Sequence, residues 1–159
     1  MMHPVAEMAE AALFSPYEKH HSNIYIKQAI QQIKNYSQEH PSSKSLAKRY
    51  IQRLNDQIRT NRYILDLIRK DKPGFSPQWC VKTNDLKAIK YFIRCDETGE
   101  INKPDERKRT ALHLAAANDQ LDFVQAILNS PFVDKELKTI KGNKAIDVAT
   151  NEKIRSLLR

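Results

Sequence analysis

The chain has 159 residues, 40% of them hydrophobic and only 3 of them glycine, which excludes collagen-like and flexible low-complexity classes and leaves enough length to bury a core. Its formal net charge of +8 makes an acidic surface an expected complement, with simple solubility as the competing reading. No apolar run approaches the ~18 residues of a membrane span, and the two cysteines, Cys80 and Cys95, are too few for a disulfide framework and fit a reducing compartment.

Residues 1–14 read as a short helix with Val5, Met8, Ala9, Ala12 and Leu13 on one side and Pro4 in its first turn. Glu7 and Glu10 fall inside it and no basic leader precedes it, so it does not read as a Sec-type signal; a route without such a signal stays open. His20 and His21 are adjacent and point in different directions on a helix, which makes a poor chelate. A second helix is expected over 22–37, where Tyr25, Ile26, Ala29, Ile30, Ile33 and Tyr36 share one face. Glu39 to Ser43 is a break, with Ser42 or Ser43 as the next cap.

A long helix follows over 43–70, with Leu46, Tyr50, Leu54, Ile58, Leu65 and Ile68 as its apolar stripe. At 1.5 Å per residue it spans roughly 40 Å. Pro73-Gly74 stops it. Lys44, Lys48, Arg49, Arg53, Arg59, Arg62 and Lys70 lie mostly opposite the stripe. Such a face is usually solvated; binding of nucleic acid or of an anionic membrane surface by this helix is kept as the alternative.

Past Gly74 the apolar pattern repeats. Trp79 through Ile93 matches Leu114 through Leu128 in residue type, with Leu86 aligned on Leu121, 35 residues on. Cys80 then falls at the buried place of Ala115, Cys95 in a loop, and Pro77 opposite Leu112. The central copy opens on Thr110-Ala111-Leu112-His113-Leu114-Ala115-Ala116. Thr110 is placed to cap a helix, and the small Ala115, Ala116 and Ala117 let a neighbouring helix approach. A second, antiparallel helix carries Leu121, Phe123, Val124, Ile127 and Leu128. Gly142 through Ala149 announces a third copy, with Lys144 at the place of Thr110, and Ile154, Leu157 and Leu158 supply a shortened last helix.

The central stretch resembles the ankyrin-repeat signature Thr-Pro-Leu-His-x-Ala-Ala. The resemblance covers about residues 75–159 and implies an all-α fold: a short solenoid of about two and a half repeats (75–109, 110–143 and a partial 144–159) with hairpin loops. An N-terminal extension of residues 1–72, built on a long helical hairpin, would cap it and pack on the first copy, ahead of the repeats of 73–159. In the family the His tied to this signature links adjacent loops, the structural role implied for His113. Ile101-Asn102 resembles the Val-Asn that leads into the hairpin, Asp105 takes the usual Asp position, and Asp96 to Glu100 includes an insertion. Lys108 replaces the usual turn glycine, which predicts a distorted tip.

The resemblance also implies function. Ankyrin arrays bind proteins through hairpin tips and the inner-helix groove. The corresponding positions are Glu106, Arg107 and Arg109 at one tip and Thr139, Ile140, Lys141 and Asn143 at the next. On the inner helices they are Lys82, Thr83, Ala117, Asn118 and Thr150. Their wealth of Lys and Arg points to an acidic or phosphorylated protein partner rather than a small-molecule substrate. No Gly-rich phosphate loop, metal pair or nucleophile–base arrangement is legible, so no cofactor or metal is assigned, and an enzyme with an unrecognised helical site is the remaining alternative. The richness in Asn, Gln, Lys and Ile, with unfamiliar helices fused to a short array, also resembles effectors that intracellular bacteria deliver to bind host proteins; a cytosolic adaptor is the competing reading.

Overall fold

A computed structural model describes residues 1–159 as nine α-helices with no strand. The first three are α1 (Pro4–Leu13), α2 (Asn23–Glu39) and α3 (Lys44–Arg69). Pro4 stands at the first helical position of α1, and Ser22 caps α2 by accepting from the Tyr25 N–H at 3.2 Å. Ser43 precedes α3, but its hydroxyl donates to the His40 carbonyl at 2.7 Å and caps nothing, against expectation.

These helices form a three-helix bundle, with the short α1 packed on the hairpin of α2 and α3. Val5, Ala9 and Ala12 of α1 are buried against Ile26, Ala29, Ile30 and Ile33 of α2 and Ala47, Leu54 and Ile58 of α3. The bundle therefore has its own core. It also buries a polar pair that periodicity did not show: Asn61 of α3 donates to the Asn23 side chain of α2 at 2.8 Å. An amide pair in an apolar seam fixes the register of α2 on α3, because slipping either helix would break it and leave the buried Asn23 side chain with no partner.

Six further helices complete the chain: α4 (Pro77–Lys82), α5 (Leu86–Cys95), α6 (Ala111–Ala117), α7 (Leu121–Leu128), α8 (Ala145–Val148) and α9 (Glu152–Leu158). They stack as pairs. Helices α4, α6 and α8 form an inner layer, and α5, α7 and α9 an outer one. Ala111, Ala115 and Ala116 of α6 are fully buried, as small side chains at a close helix–helix approach must be. One core runs through all three pairs, from Cys80 to Leu158. Burial pushes the Cys80 thiol up to about 12, so it behaves as a small apolar side chain. Cys95 is the last residue of α5, not a loop residue, and burial pushes it up to about 11. In α9, Ile154 and Leu158 enter the core, but Leu157 is 40% exposed and does not.

The turn between paired helices places Asn84 and Asp119 at φ 57° and 60°. Asn and Asp are the non-glycine residues that tolerate this left-handed region. The turns are also tied to each other: Gln120 Nε2 donates to the Val81 carbonyl at 3.1 Å, and Asn151 Nδ2 to the Asp119 carboxylate at 2.7 Å.

Helix α3 continues the outer layer one place beyond α5. Leu65 is buried, and Ile68 packs on the repeat core. One glutamate fastens the bundle beside this contact. Glu97, just past α5, meets Lys27 at 2.8 Å and Arg62 at 3.3 Å. The Lys27 hydrogen bond and the charge of both bases hold the Glu97 carboxyl below its usual 4.5 against the opposing effect of burial. A carboxyl lowered by folding contributes stability that is present above its unfolded value and lost as pH falls below about 4.5. With both bases half-exposed, the pair of contacts is worth about 1 kcal/mol or less. Urea unfolding at pH 6 is therefore expected to find Glu97→Gln less stable than wild type by that amount, and at pH 3 the difference should close. A gap unchanged at pH 3 would remove the charge from the explanation.

Candidate functional site

The predicted site residues all lie at the surface, on two loop tips and at the ends of the inner helices. The loop before the first tip is built on Asp96, which is buried. Its carboxylate accepts from the backbone N–H groups of Thr98, Gly99, Glu100 and Ile101 at 2.9–3.2 Å. The inserted residues are thus wound around one side chain, with Gly99 at φ 88° closing the loop. Asn102 then bridges to the following copy: its Nδ2 donates to the Phe132 carbonyl at 2.6 Å, and its Oδ1 accepts from the Asp134 N–H at 2.9 Å. Neither role of Asp96 nor that of Asn102 was assigned from the sequence.

The two tips have the same construction, although they share little sequence. The Asp105 N–H donates to the Arg109 carbonyl at 2.9 Å, and the Thr139 N–H to the Asn143 carbonyl at 2.8 Å. The Asp105 side chain accepts from the Arg109 N–H at 2.8 Å, and the Thr139 hydroxyl from the Asn143 N–H at 3.3 Å. Lys108 at φ 58° stands where Gly142 has φ 81°. The first tip is therefore not distorted by Lys108; the lysine adopts the glycine's conformation, and the Asp105 carboxylate holds it there. Burial pushes the Asp105 carboxyl up, but the Arg109 and Arg107 N–H groups and the Arg109 side chain outweigh it and hold it below its usual value. No strand forms, so these are closed loops rather than β-hairpins.

The tips are also joined to one another. The Ile140 N–H donates to the Arg107 carbonyl at 3.0 Å, which sets their spacing. Beneath them, inner-helix side chains hold the loops. Thr110 and His113 form a reciprocal cap on α6: the His113 N–H donates to Thr110 Oγ1 at 3.4 Å, and the Thr110 N–H donates to His113 Nδ1 at 3.1 Å. Since Nδ1 accepts, the ring proton sits on Nε2 and is donated to the Asn143 carbonyl at 3.0 Å. In the first copy Gln78 takes this place, donating through Nε2 to the carbonyls of Lys103 and Arg109 at 2.6 and 3.1 Å. The first copy also starts one residue later than expected. Ser76 caps α4, accepting from the Trp79 N–H at 3.1 Å, so Pro77 stands at the first helical position, as Ala111 does in α6.

Four of the predicted residues converge. Lys82, Glu106, Arg107 and Arg109 line one depression with Pro104 and Asp105, between the end of α4 and the first tip. Ile140 is 68% exposed at the second tip, with Lys141 beside it. Arg107, Lys108, Lys138, Lys141 and Lys82 make no salt bridge, whereas Arg109 is held by Asp105 at 2.9 Å. Ala117, Asn118 and Thr150 are exposed, farther along the inner layer. Three predicted residues carry structural bonds instead: Thr83 donates its hydroxyl to the Trp79 carbonyl at 2.8 Å, and Thr139 and Asn143 close the second tip.

The basic face of α3 is partly engaged within the chain. Arg59 pairs with Asp56, Arg62 with Glu97, and the Arg53 guanidinium lies 5.7 Å from the Tyr50 ring and 5.9 Å from that of Phe14. No group of three His, Cys, Asp or Glu side chains is placed to hold a metal ion, and no helix is long and apolar enough to cross a membrane.

The family model described as ankyrin repeats (3 copies) matches residues 69–158. No curated protein and no solved structure matches the chain.

Proposed function

Because the chain belongs to the ankyrin-repeat family, whose repeats generally mediate protein–protein interactions, we propose that it is a non-catalytic module that docks a partner protein across its two tips and inner helices. The observation that carries this reading is the bond from Ile140 to Arg107. It makes two loops one rigid platform, so little ordering entropy is lost on docking. On that platform Lys82, Arg107, Lys108, Lys138 and Lys141 lack an internal counter-ion, with Glu106 as the one opposing free charge. Exposed Ile140 supplies an apolar anchor among them. The partner surface that complements this is acidic or phosphorylated, with an apolar contact at its centre.

The effector role would make that partner a host protein. Nothing in the tip geometry prefers a host partner to one from the same cell, so the test leaves the source open. Binding partners captured by the full chain are compared with those of Arg107→Glu plus Lys141→Glu, and of a control carrying Lys48→Glu plus Arg49→Glu on α3. The tip variant is expected to lose at least ~10-fold in affinity, since each reversal replaces attraction by repulsion across the interface. The α3 variant should bind as wild type does. The opposite pattern would move the interface to α3 and favour the anion-binding alternative.

A further inference from the structure

A second groove lies on the outer-helix side of the molecule and shares no residue with the depression at the first tip. It is assembled from both parts of the chain. One wall is the 3₁₀ turn Glu18–His21 that joins α1 to α2; the other is the outer face of α5 and α7. Lys90 and Arg94 come from α5, and Asp122, Gln125 and Asn129 from α7 and its end. Buried Ile93 and Ala126 form an apolar floor. Its volume of about 200 Å³ is below the roughly 300–1,000 Å³ of small-molecule pockets, so it is sized for one or two side chains.

Glu18 occupies the basic end of this groove, and it does so poorly. Its carboxylate stands 3.2 Å from Arg94 Nη2 and 3.8 Å from Lys90 Nζ. Charge-assisted pairs of good geometry close to about 2.7–2.9 Å. The Arg94 side chain is only 20% exposed, and its Nε–H is buried with no acceptor. A guanidinium offers Nε and Nη2 as a fork that a carboxylate can fill with two parallel bonds. Glu18 fills one prong. It stands on a four-residue turn, and its side chain remains 40% exposed.

We propose that this groove is a carboxylate-binding site for an Asp or Glu side chain of an acidic peptide, which displaces Glu18 and engages Arg94 and Lys90 in its place. Two features select a peptide carboxylate over a free phosphate. Asp122 stands in the same groove, so a dianion meets repulsion that a single carboxylate meets at half strength. Gln125 and Asn129 are exposed amides one turn apart, and their side chains make no hydrogen bond in the chain. They are free to pair with the N–H and C=O groups of an extended backbone. The incoming carboxylate meets its two bases already positioned, and Glu18 swings into water at little cost, being partly solvated where it is. Because Glu18 competes for the same bases, it sets a threshold that only a well-oriented acidic segment crosses.

The test uses the full chain, labelled with 15N, at physiological salt. The probes are an N-acetylated, C-amidated hexaglutamate peptide, its hexaglutamine counterpart, and a phosphoserine peptide of the same length. Hexaglutamate is expected to move the Arg94 Nε–H resonance and the Gln125 and Asn129 side-chain amides in a saturable way, and hexaglutamine to leave them still. Glu18→Gln should tighten binding by about tenfold, because the internal competitor is gone. Arg94→Gln and Lys90→Gln should each abolish the shifts. Lys90 is the more exposed of the two, so its variant decides the matter if Arg94→Gln disturbs the fold. The tip variant Arg107→Glu plus Lys141→Glu should retain binding here, which separates this site from the tip surface. Shifts confined to the tips, equal affinity for wild type and Glu18→Gln, or response to the phosphoserine peptide alone would each overturn the proposal.

Discussion

Replacing His113 with alanine is expected to lower the unfolding free energy by about 2–4 kcal/mol, measured by urea or thermal denaturation. His113 is 3% exposed and links three parts of the second copy. Its loss removes the acceptor for the Thr110 N–H at the start of α6 and the donor to the Asn143 carbonyl at the second tip. The Thr110 N–H is buried beneath the ring and has no other route to water, so the desolvation cost falls on it in full, with a cavity cost added. On a domain whose total stability is typically about 5–15 kcal/mol, this is a large fraction. The previous copy suggests a rescue. Gln78 makes the corresponding loop bonds with an amide, so His113→Gln should recover the Asn143 contact and about 1 kcal/mol. A loss below ~1 kcal/mol for His113→Ala would mean that the loop bonds are satisfied otherwise.

Removing residues 1–71 is the second large effect. Two burial facts set it: Leu65 is covered where α3 passes α5, and Ile68 packs on the repeat core. Without α3, the outer face of α5 meets water, and the Arg69 guanidinium is lost from its place 5.5 Å from the Phe75 ring. Two apolar side chains of this size represent about 3–6 kcal/mol of burial. A stack of three short copies has little to spare, since each repeat is stabilised chiefly by its neighbours. The truncated chain should therefore melt lower and less cooperatively than the whole. Leu65→Ala plus Ile68→Ala in the full chain should reproduce most of the drop while leaving the bundle of α1, α2 and α3 folded. A chain starting at Lys72 that unfolded as sharply and at the same temperature as the whole would show that α3 is a neighbour of the repeats and not their cap.

The tips show where a residue-type reading fails. Lys108 looks wrong for a position that glycine holds in the next copy, yet the two tips have the same hydrogen bonds. The compensation is Asp105, whose carboxylate gathers two backbone N–H groups and the Arg109 side chain. Likewise Gln78 does not resemble His113, but its amide N–H reaches the Arg109 carbonyl as the imidazole N–H reaches the corresponding Asn143 carbonyl of the next tip. Such substitutions conserve a bond and not a residue, so they become visible only when the partners are in place.

What the amino-acid order alone determined is the repeat: the paired helices after Gly74, the cap at Thr110, the burial of Cys80, and the tip positions. These follow from contacts within one helical turn or one repeat, where spacing along the chain dictates spacing in space. What only the tertiary structure decided is the contact of α3 with α5, the buried Asn23–Asn61 pair, and the meeting of Glu18 with Arg94 across 76 positions. Amphipathic periodicity says that a face must be covered, and it is silent on which of several apolar faces covers it. That choice is made by shape and by the pairing of a few buried polar groups, and both exist only after the helices have packed.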